Sequence, residues 1–230
     1  MSLAPSTAEA LRRALATTVV VPVTPYHADG TPDWNTYAAL TTRLIDAGIS
    51  VITPNGNTGE FYALSQAEAR QALETAAKAA GASGEPSGEP GGEHSGEHSD
   101  EHSDEHGDEH GDEHGAEVLA GAAELTAPAF FAVGAHGFTS GLANVHPALA
   151  LAMLDALRTN DYVKAMQAWE SARRFEELRL ADGSADNVSV VKEALAQLGL
   201  CPAEVRPPSR PLPPRIKDEI TGILQAWGLA

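Results

Sequence analysis

"TPNGNTGEFYALSQAEAR", residues 53–70, decides the fold. A short apolar run, "ISVITPNG" (49–56), reads as a strand ending at Thr53. Gly56, Asn57, Thr58, Gly59 and Glu60 then form a tight loop leading to a helix. Glycines let the backbone approach a ligand closely, and Thr58 with the free loop amides can hold a carboxylate or a phosphate. An ordinary strand-to-helix turn has the same spacing, so the loop alone leaves both readings open. "SQAE" at 65–68 matches a capping box, Ser65 with Glu68, and opens an Ala-rich helix ending near Gly81.

Working back toward the N-terminus, "TTVVVPVTPY" (17–26) is a β-branched run suited to a strand buried on both faces. "HADGTPDW" supplies the turn, and Asp33 caps a helix over "WNTYAALTTRLIDAG". That helix puts Tyr37, Leu40, Leu44 and Ile45 on one stripe and stops at Gly48. The order is β-α-β-α, the pattern of a parallel sheet.

Past Ala82 the composition changes. Residues 83–114 are eight tetrads, from SGEP to GDEH, with Glu fixed in the third place. They contain no apolar residue, so nothing offsets the entropy of ordering them, and 83–116 is expected to be a disordered acidic linker. The formal net charge is −17, but 13 acids and no Lys or Arg lie between Ser83 and Glu117. The remaining residues sum to only −4. No basic face is available for nucleic acid. No apolar run reaches 18 residues, which argues against a membrane span. Cys201 is the only cysteine, which fits a reducing compartment, and a cytoplasmic location is expected.

Residues 117–230 regain globular character. "EVLAG" and "HGFTSG" are strand candidates around a helix over "LTAPAFFAVGA". Helices are expected over "PALALAMLDALRTND", "DYVKAMQAWESARRFEELRLAD", "NVSVVKEALAQLG" and "RIKDEITGILQAWG". The loop "RPPSRPLPPR" (206–215) separates the last two. Its PxxP could serve as a polyproline ligand, though a loop between helices is the simpler reading. Trp34, Trp169 and Trp227 fall on helical stripes and read as packing residues.

"VVPVTPY", "GNTGEFYALSQAEAR", "LAGAAELTAPAFFAVGAHGFTSGLANVHP" and "NVSVVKEALAQLGLCPAEVRPPSRPLP" together resemble the dihydrodipicolinate synthase / N-acetylneuraminate lyase family over roughly 17–82 and 117–228. The resemblance implies a TIM (β/α)8 barrel with its site at the C-terminal ends of the strands. It implies a lysine that forms a Schiff base with pyruvate or a related 2-keto acid, a tyrosine that relays protons, and no further cofactor. It assigns substrate contacts to Gly56, Thr58, Gly59, Glu60, Gly121 and Thr139, with Ser140 beside Thr139 on the last strand. Asn57 stands where the family's relay Ser or Thr is expected. A sugar-acid dehydratase relative is an alternative within the same resemblance.

Four of the family's strand-helix units are absent between Ala82 and Glu117, and with them the segment for the lysine and the tyrosine. The chain has only four lysines, Lys78, Lys164, Lys192 and Lys217, and each falls in a helical pattern. Lys192 is expected at a surface or between helices. Among Tyr26, Tyr37, Tyr62 and Tyr162 none follows a matching strand. No catalytic residue is assigned.

The expected architecture is therefore α/β: an incomplete TIM barrel of about four strand-helix units with a C-terminal helical extension. Its segments are 1–82 and 117–230, interrupted by the tract at 83–116. His94, His98, His102, His106, His110 and His114 recur every four residues. Gly, Ser and dense acids deny them a fixed geometry, so weak, heterogeneous metal binding is expected and a defined site is not. A metal-buffering or interaction protein built on the tract is a third reading. His27, His136 and His146 are expected to be structural. An open half barrel exposes edges and apolar faces, which predicts poor solubility as a monomer or the pairing of two halves in a homo-oligomer.

Overall fold

The computed structural model describes residues 15–81, 118–120 and 123–230. The tract at 83–116, with its six histidines, lies outside the described residues, as does Gly121.

Strands β1 (Thr18–Val20), β2 (Val51–Ile52), β3 (Val118–Ala120) and β4 (Ala135–Ser140) form one sheet in the order β2-β1-β4-β3. Every pairing is parallel: Val19 sits opposite both Val51 and Thr139, and Leu119 opposite Gly137. The first two strands are shorter than the apolar runs that announced them. The chain leaves the ladder at Pro22 and Pro54, because proline cannot donate to it.

Helix α1 (Trp34–Asp46) starts where expected, with Asp33 Oδ1 accepting from Asn35 N at 3.1 Å and Thr36 N at 3.0 Å. Gly48, at φ 96°, turns the chain out of it. Helix α2 (Gln66–Ala79) carries the full capping box: Ser65 N donates to Glu68 Oε2 at 2.8 Å and Glu68 N to Ser65 Oγ at 3.3 Å. After the tract come α3 (Ala123–Ala132), over β3 and β4, and α4 (Pro147–Arg158). Helix α5 (Tyr162–Ser184) breaks at Ala181–Gly183, and α6 (Asn187–Gln197) and α7 (Pro214–Ala226) complete the extension.

The sheet order makes β1 and β4 the seam between the segments flanking the tract. Polar contacts reinforce that seam. Asn144, buried in the turn after β4, accepts from Val23 N at 3.2 Å and donates to Val21 O at 2.9 Å. Arg43 of α1 donates to the carbonyls of Asn144 and Val145, each at 2.8 Å. Behind the sheet, Val20 and Phe138 pack with Leu142, Met153, Leu157, Phe175 and Leu195 in one core drawn from both segments. All three tryptophans pack: Trp34 is edge-on to Tyr37, and Trp227 lies 5.3 Å from Phe175. Trp169 packs on the same core and donates its indole N–H to Leu125 O at 3.0 Å. Of the isolated histidines, His146 is built in, edge-on to Trp227, while the side chains of His27 and His136 are exposed.

Phe138 is fully buried where sheet and helices meet. Phe138→Ala is expected to cost about 3–5 kcal/mol, read as a lowered urea midpoint with the slope unchanged.

Candidate functional site

The loop of residues 53–60 leaves β2 and folds over the end of β1. Gly56 lies so close to Val21 that a Cβ there would stand 2.7 Å from Val21 Cγ2. A Cβ on Gly59 would meet the Pro22 carbonyl at 3.0 Å, and Thr24 Oγ1 donates to the Gly59 carbonyl at 2.8 Å. The glycines thus let the loop lie against Val21 and Pro22. They bring Asn57 and Thr58 to a cleft of about 320 Å³ at the C-terminal ends of β1 and β4.

Thr139, Ser140 and Gly141 form another wall of this cleft, and Glu176, Arg179 and Asn187 close it from α5 and α6. Arg179 is nearly buried. Its Nη1 donates to Glu176 Oε1 at 2.5 Å and its Nε to Asn187 Oδ1 at 3.0 Å. The guanidinium lies on Gly141, where a Cβ would stand 2.0 Å from Nη2. Gly141 has φ −87°, open to any residue, so the approach of Arg179 is the reason for glycine here. Beneath it, Ser140 Oγ donates to Glu124 Oε1 at 2.5 Å and accepts from Ala143 N at 2.8 Å. Burial, then the neighbouring Glu176, pushes the Glu124 carboxyl up to about 8. The cleft therefore offers hydroxyls, an amide and a guanidinium already paired with the Glu176 carboxylate, donors that can bond the oxygens of a small acid.

Glu60 does not line the cleft. At φ 57° it is a left-handed non-glycine residue, and its fully buried carboxylate is taken up elsewhere. Glu60 Oε2 accepts from Lys192 Nζ, and Oε1 accepts from Arg206 N at 3.0 Å. Lys192 also donates to the Glu204 carbonyl at 2.8 Å and lies 4.0 Å from the centre of the Tyr26 ring. This corrects the sequence expectation for Lys192: it is 0% exposed, because Glu60 and the Tyr26 face compensate its charge inside the protein. Arg206 stacks on Tyr26 at 4.6 Å and grips Glu68 with two bonds, 2.6 and 3.0 Å, holding that carboxyl down at about 2.

The other lysines lie on the outside. Lys78 is exposed on α2, Lys164 pairs with Asp161 at 2.8 Å, and Lys217 pairs with Glu193 at 2.8 Å. No lysine or tyrosine is among the residues that line the cleft. Among the described residues no cluster of three His, Cys, Asp or Glu side chains is placed to hold a metal.

Sequence reading reached Gly56, Thr58, Thr139 and Ser140 but missed Glu124, Glu176 and Arg179. Their charges sit in helical patterns indistinguishable from a solvated face. Gly141, directly after β4, is the local sign of the close approach of Arg179.

A model of the dihydrodipicolinate synthetase family matches residues 14–84 and 109–227. A 4-hydroxy-tetrahydrodipicolinate synthase of Parvibaculum lavamentivorans is 34% identical over 106 residues, 46% of this chain. The match spans 35% of that curated relative's own length. The crystal structure of dihydrodipicolinate synthase from Bacillus clausii superposes with a TM-score of 0.73 at 27% identity, covering 95% of this chain and 99% of that one. The enzyme of the same name from Oceanobacillus iheyensis, 23% identical, gives a TM-score of 0.75 and a likeness of fold, over 96% and 99% of the two chains.

Two stability measurements test the buried charges. Removing one partner of a buried ion pair strands the other, so Lys192→Met is expected to cost about 3–5 kcal/mol. Adding Glu60→Gln should then cost much less than it does alone, giving a large coupling in a double-mutant cycle by urea unfolding. Glu124 holds its proton in the folded state far above its ordinary value of 4.5. Its contribution is thus fully present below about pH 4.5 and is lost as pH rises through about 8. In Glu124→Gln that part of the fall in the unfolding midpoint between about pH 5 and 9 should disappear.

Proposed function

Because this chain belongs to the dihydrodipicolinate synthetase family, we propose that it binds a small 2-keto acid such as pyruvate without turning it over. On this reading the chain is a half barrel that keeps a carboxylate cleft and lacks the amine for imine chemistry. The observation that carries it is the position of the four lysines. An imine-forming lysine needs a desolvated site, a neutral nitrogen and open access for a carbonyl carbon. Lys78, Lys164 and Lys217 lack the desolvated site: Lys78 lies in water, Lys164 is 74% exposed beside Asp161, and Lys217 is 41% exposed beside Glu193.

Lys192 meets the first requirement, and burial lowers its pKa. It fails the other two. Its nitrogen is held by the Glu60 carboxylate, the Glu204 carbonyl and the Tyr26 face, with no exposed surface. These partners favour the ammonium, and no carbonyl carbon can approach it. Nor does a tyrosine reach the cleft to relay protons: Tyr26 and Tyr37 are buried, and Tyr62 and Tyr162 stand on the surface. Burial and Glu60 raise the Tyr26 phenol well above its ordinary value, so it stays protonated.

What remains can hold an acid. Thr58 and Thr139 supply hydroxyls, Asn57 an amide, and Arg179 a guanidinium whose charge is shared with Glu176. Each acts on a carboxylate or a keto oxygen through hydrogen bonds alone, which gives binding with no bond made or broken.

Borohydride reduction of the full chain with pyruvate, followed by intact mass, should return the unmodified mass. Covalent addition at any of the four lysines would overturn the reading. Ligand-observed NMR should detect pyruvate binding that Thr58→Val weakens several-fold. No binding at millimolar pyruvate would remove the cleft's role.

A further inference from the structure

We infer that two copies of this chain close one eight-stranded barrel, β2 of each copy lying parallel beside β3 of its partner around a twofold axis. The inference concerns assembly and stands apart from whether an imine forms.

The sheet supplies the first argument. Among the described residues, β1 and β4 are paired on both sides, whereas β2 and β3 are each paired on one side only. Parallel sheets are stable when their faces are covered and their edges closed. The two free edges are unlike, so a second copy added at β3 must present its own β2. Rotation by half a turn then offers that copy's β3 to the first copy's β2, and the ring closes. The count at closure is eight, the number of parallel strand-helix units whose side chains fill a barrel interior.

The helices beside the free edges supply the second. Next to β2 lies an open groove of about 500 Å³ lined by Ile45, Ile49, Val51, Ile52, Leu73 and Ala76 among others. Leu73 of α2 is 45% exposed at this groove. At the other edge α3 packs over β3 and β4 and exposes Phe130 at 38%, with Val133 beyond its end at 79%. In a closed ring α2 of one copy lies beside α3 of the other, which brings Leu73 toward the partner's Phe130. Both exposed apolar side chains are buried by one contact, made twice.

The third argument concerns what else could cover the groove. The tetrads of 83–114 follow α2 directly, yet they contain no apolar side chain and a carboxylate in every unit. Covering an apolar groove with them would desolvate charge for no apolar gain. A second copy brings apolar surface of the required kind.

Sedimentation velocity and native mass spectrometry of the full chain across a concentration series test this. The expected result is a single species of twice 24.0 kDa, with no ladder above it. Leu73→Glu and Phe130→Arg should each weaken the dimer at least tenfold while far-UV circular dichroism stays unchanged. The double variant should regain it, because each introduced carboxylate then faces an introduced guanidinium across the interface. A monomer at all concentrations, a growing ladder of oligomers, or failure to recover any discrete dimer from aggregated material would overturn closure. A dimer indifferent to Leu73→Glu, or a double variant no better than the singles, would place the contact elsewhere and overturn the proposed pairing.

Discussion

The ion pair between Lys192 and Glu60 is the contact on which the rest of the arrangement depends. It joins a loop after β2 to a helix of the extension, 132 residues apart in sequence and on opposite sides of the tract. Burying two charges costs several kcal/mol each before their attraction is counted, so such a pair survives only when every remaining hydrogen-bonding position is filled. Here Arg206 N, the Glu204 carbonyl and the Tyr26 ring fill them. The same demand explains the backbone. Glu60 adopts φ 57°, unfavourable for a side-chain-bearing residue, and its carboxylate is committed to these partners. Once the loop is fixed there, Gly59 and Gly56 lie against β1, and Asn57 and Thr58 face the cleft.

A second set of contacts makes that anchoring cooperative. Arg206 continues the line of charge outward to Glu68, which already serves as the third residue of the α2 capping box. One carboxylate thus terminates a helix and ties down the extension. Arg43 and Asn144 do the same work at the other end of the seam, through backbone carbonyls. All of these link segments that the tract separates, so the tract is spliced between parts that hold each other without it.

The fold was legible where one local rule sufficed. Capping residues fixed the starts of α1 and α2, periodicity gave the later helices, and β-branched runs gave β1 and β2. The cleft was legible only in its loop. Lys192 shows why the rest was not. In "SVVKEAL" it sits beside Glu193 on a helical pattern, and local sequence says solvated face. Its burial is decided by Glu60 and Tyr26, which lie more than a hundred residues away. Glu124 was hidden for the same reason, since Ser140 and Glu176 lie outside its local window, whereas the i,i+3 pair of Glu176 and Arg179 reads in sequence as a solvated helix face.

Barrel sites are assembled from the ends of several strands, so losing some strands removes whole roles and leaves others intact. In this chain the strand ends after β1, β2 and β4 carry the residues that line the cleft, and none of the four lysines is among them. The tract's attachment points bear on that division. Gly81 follows the end of α2 and Val118 begins β3, so both lie on the N-terminal side of the strands, away from the cleft. Thirteen acidic residues tethered there start from the far side of the sheet. The described ends that flank the tract thus lie on the side of the sheet opposite the strand ends that line the cleft.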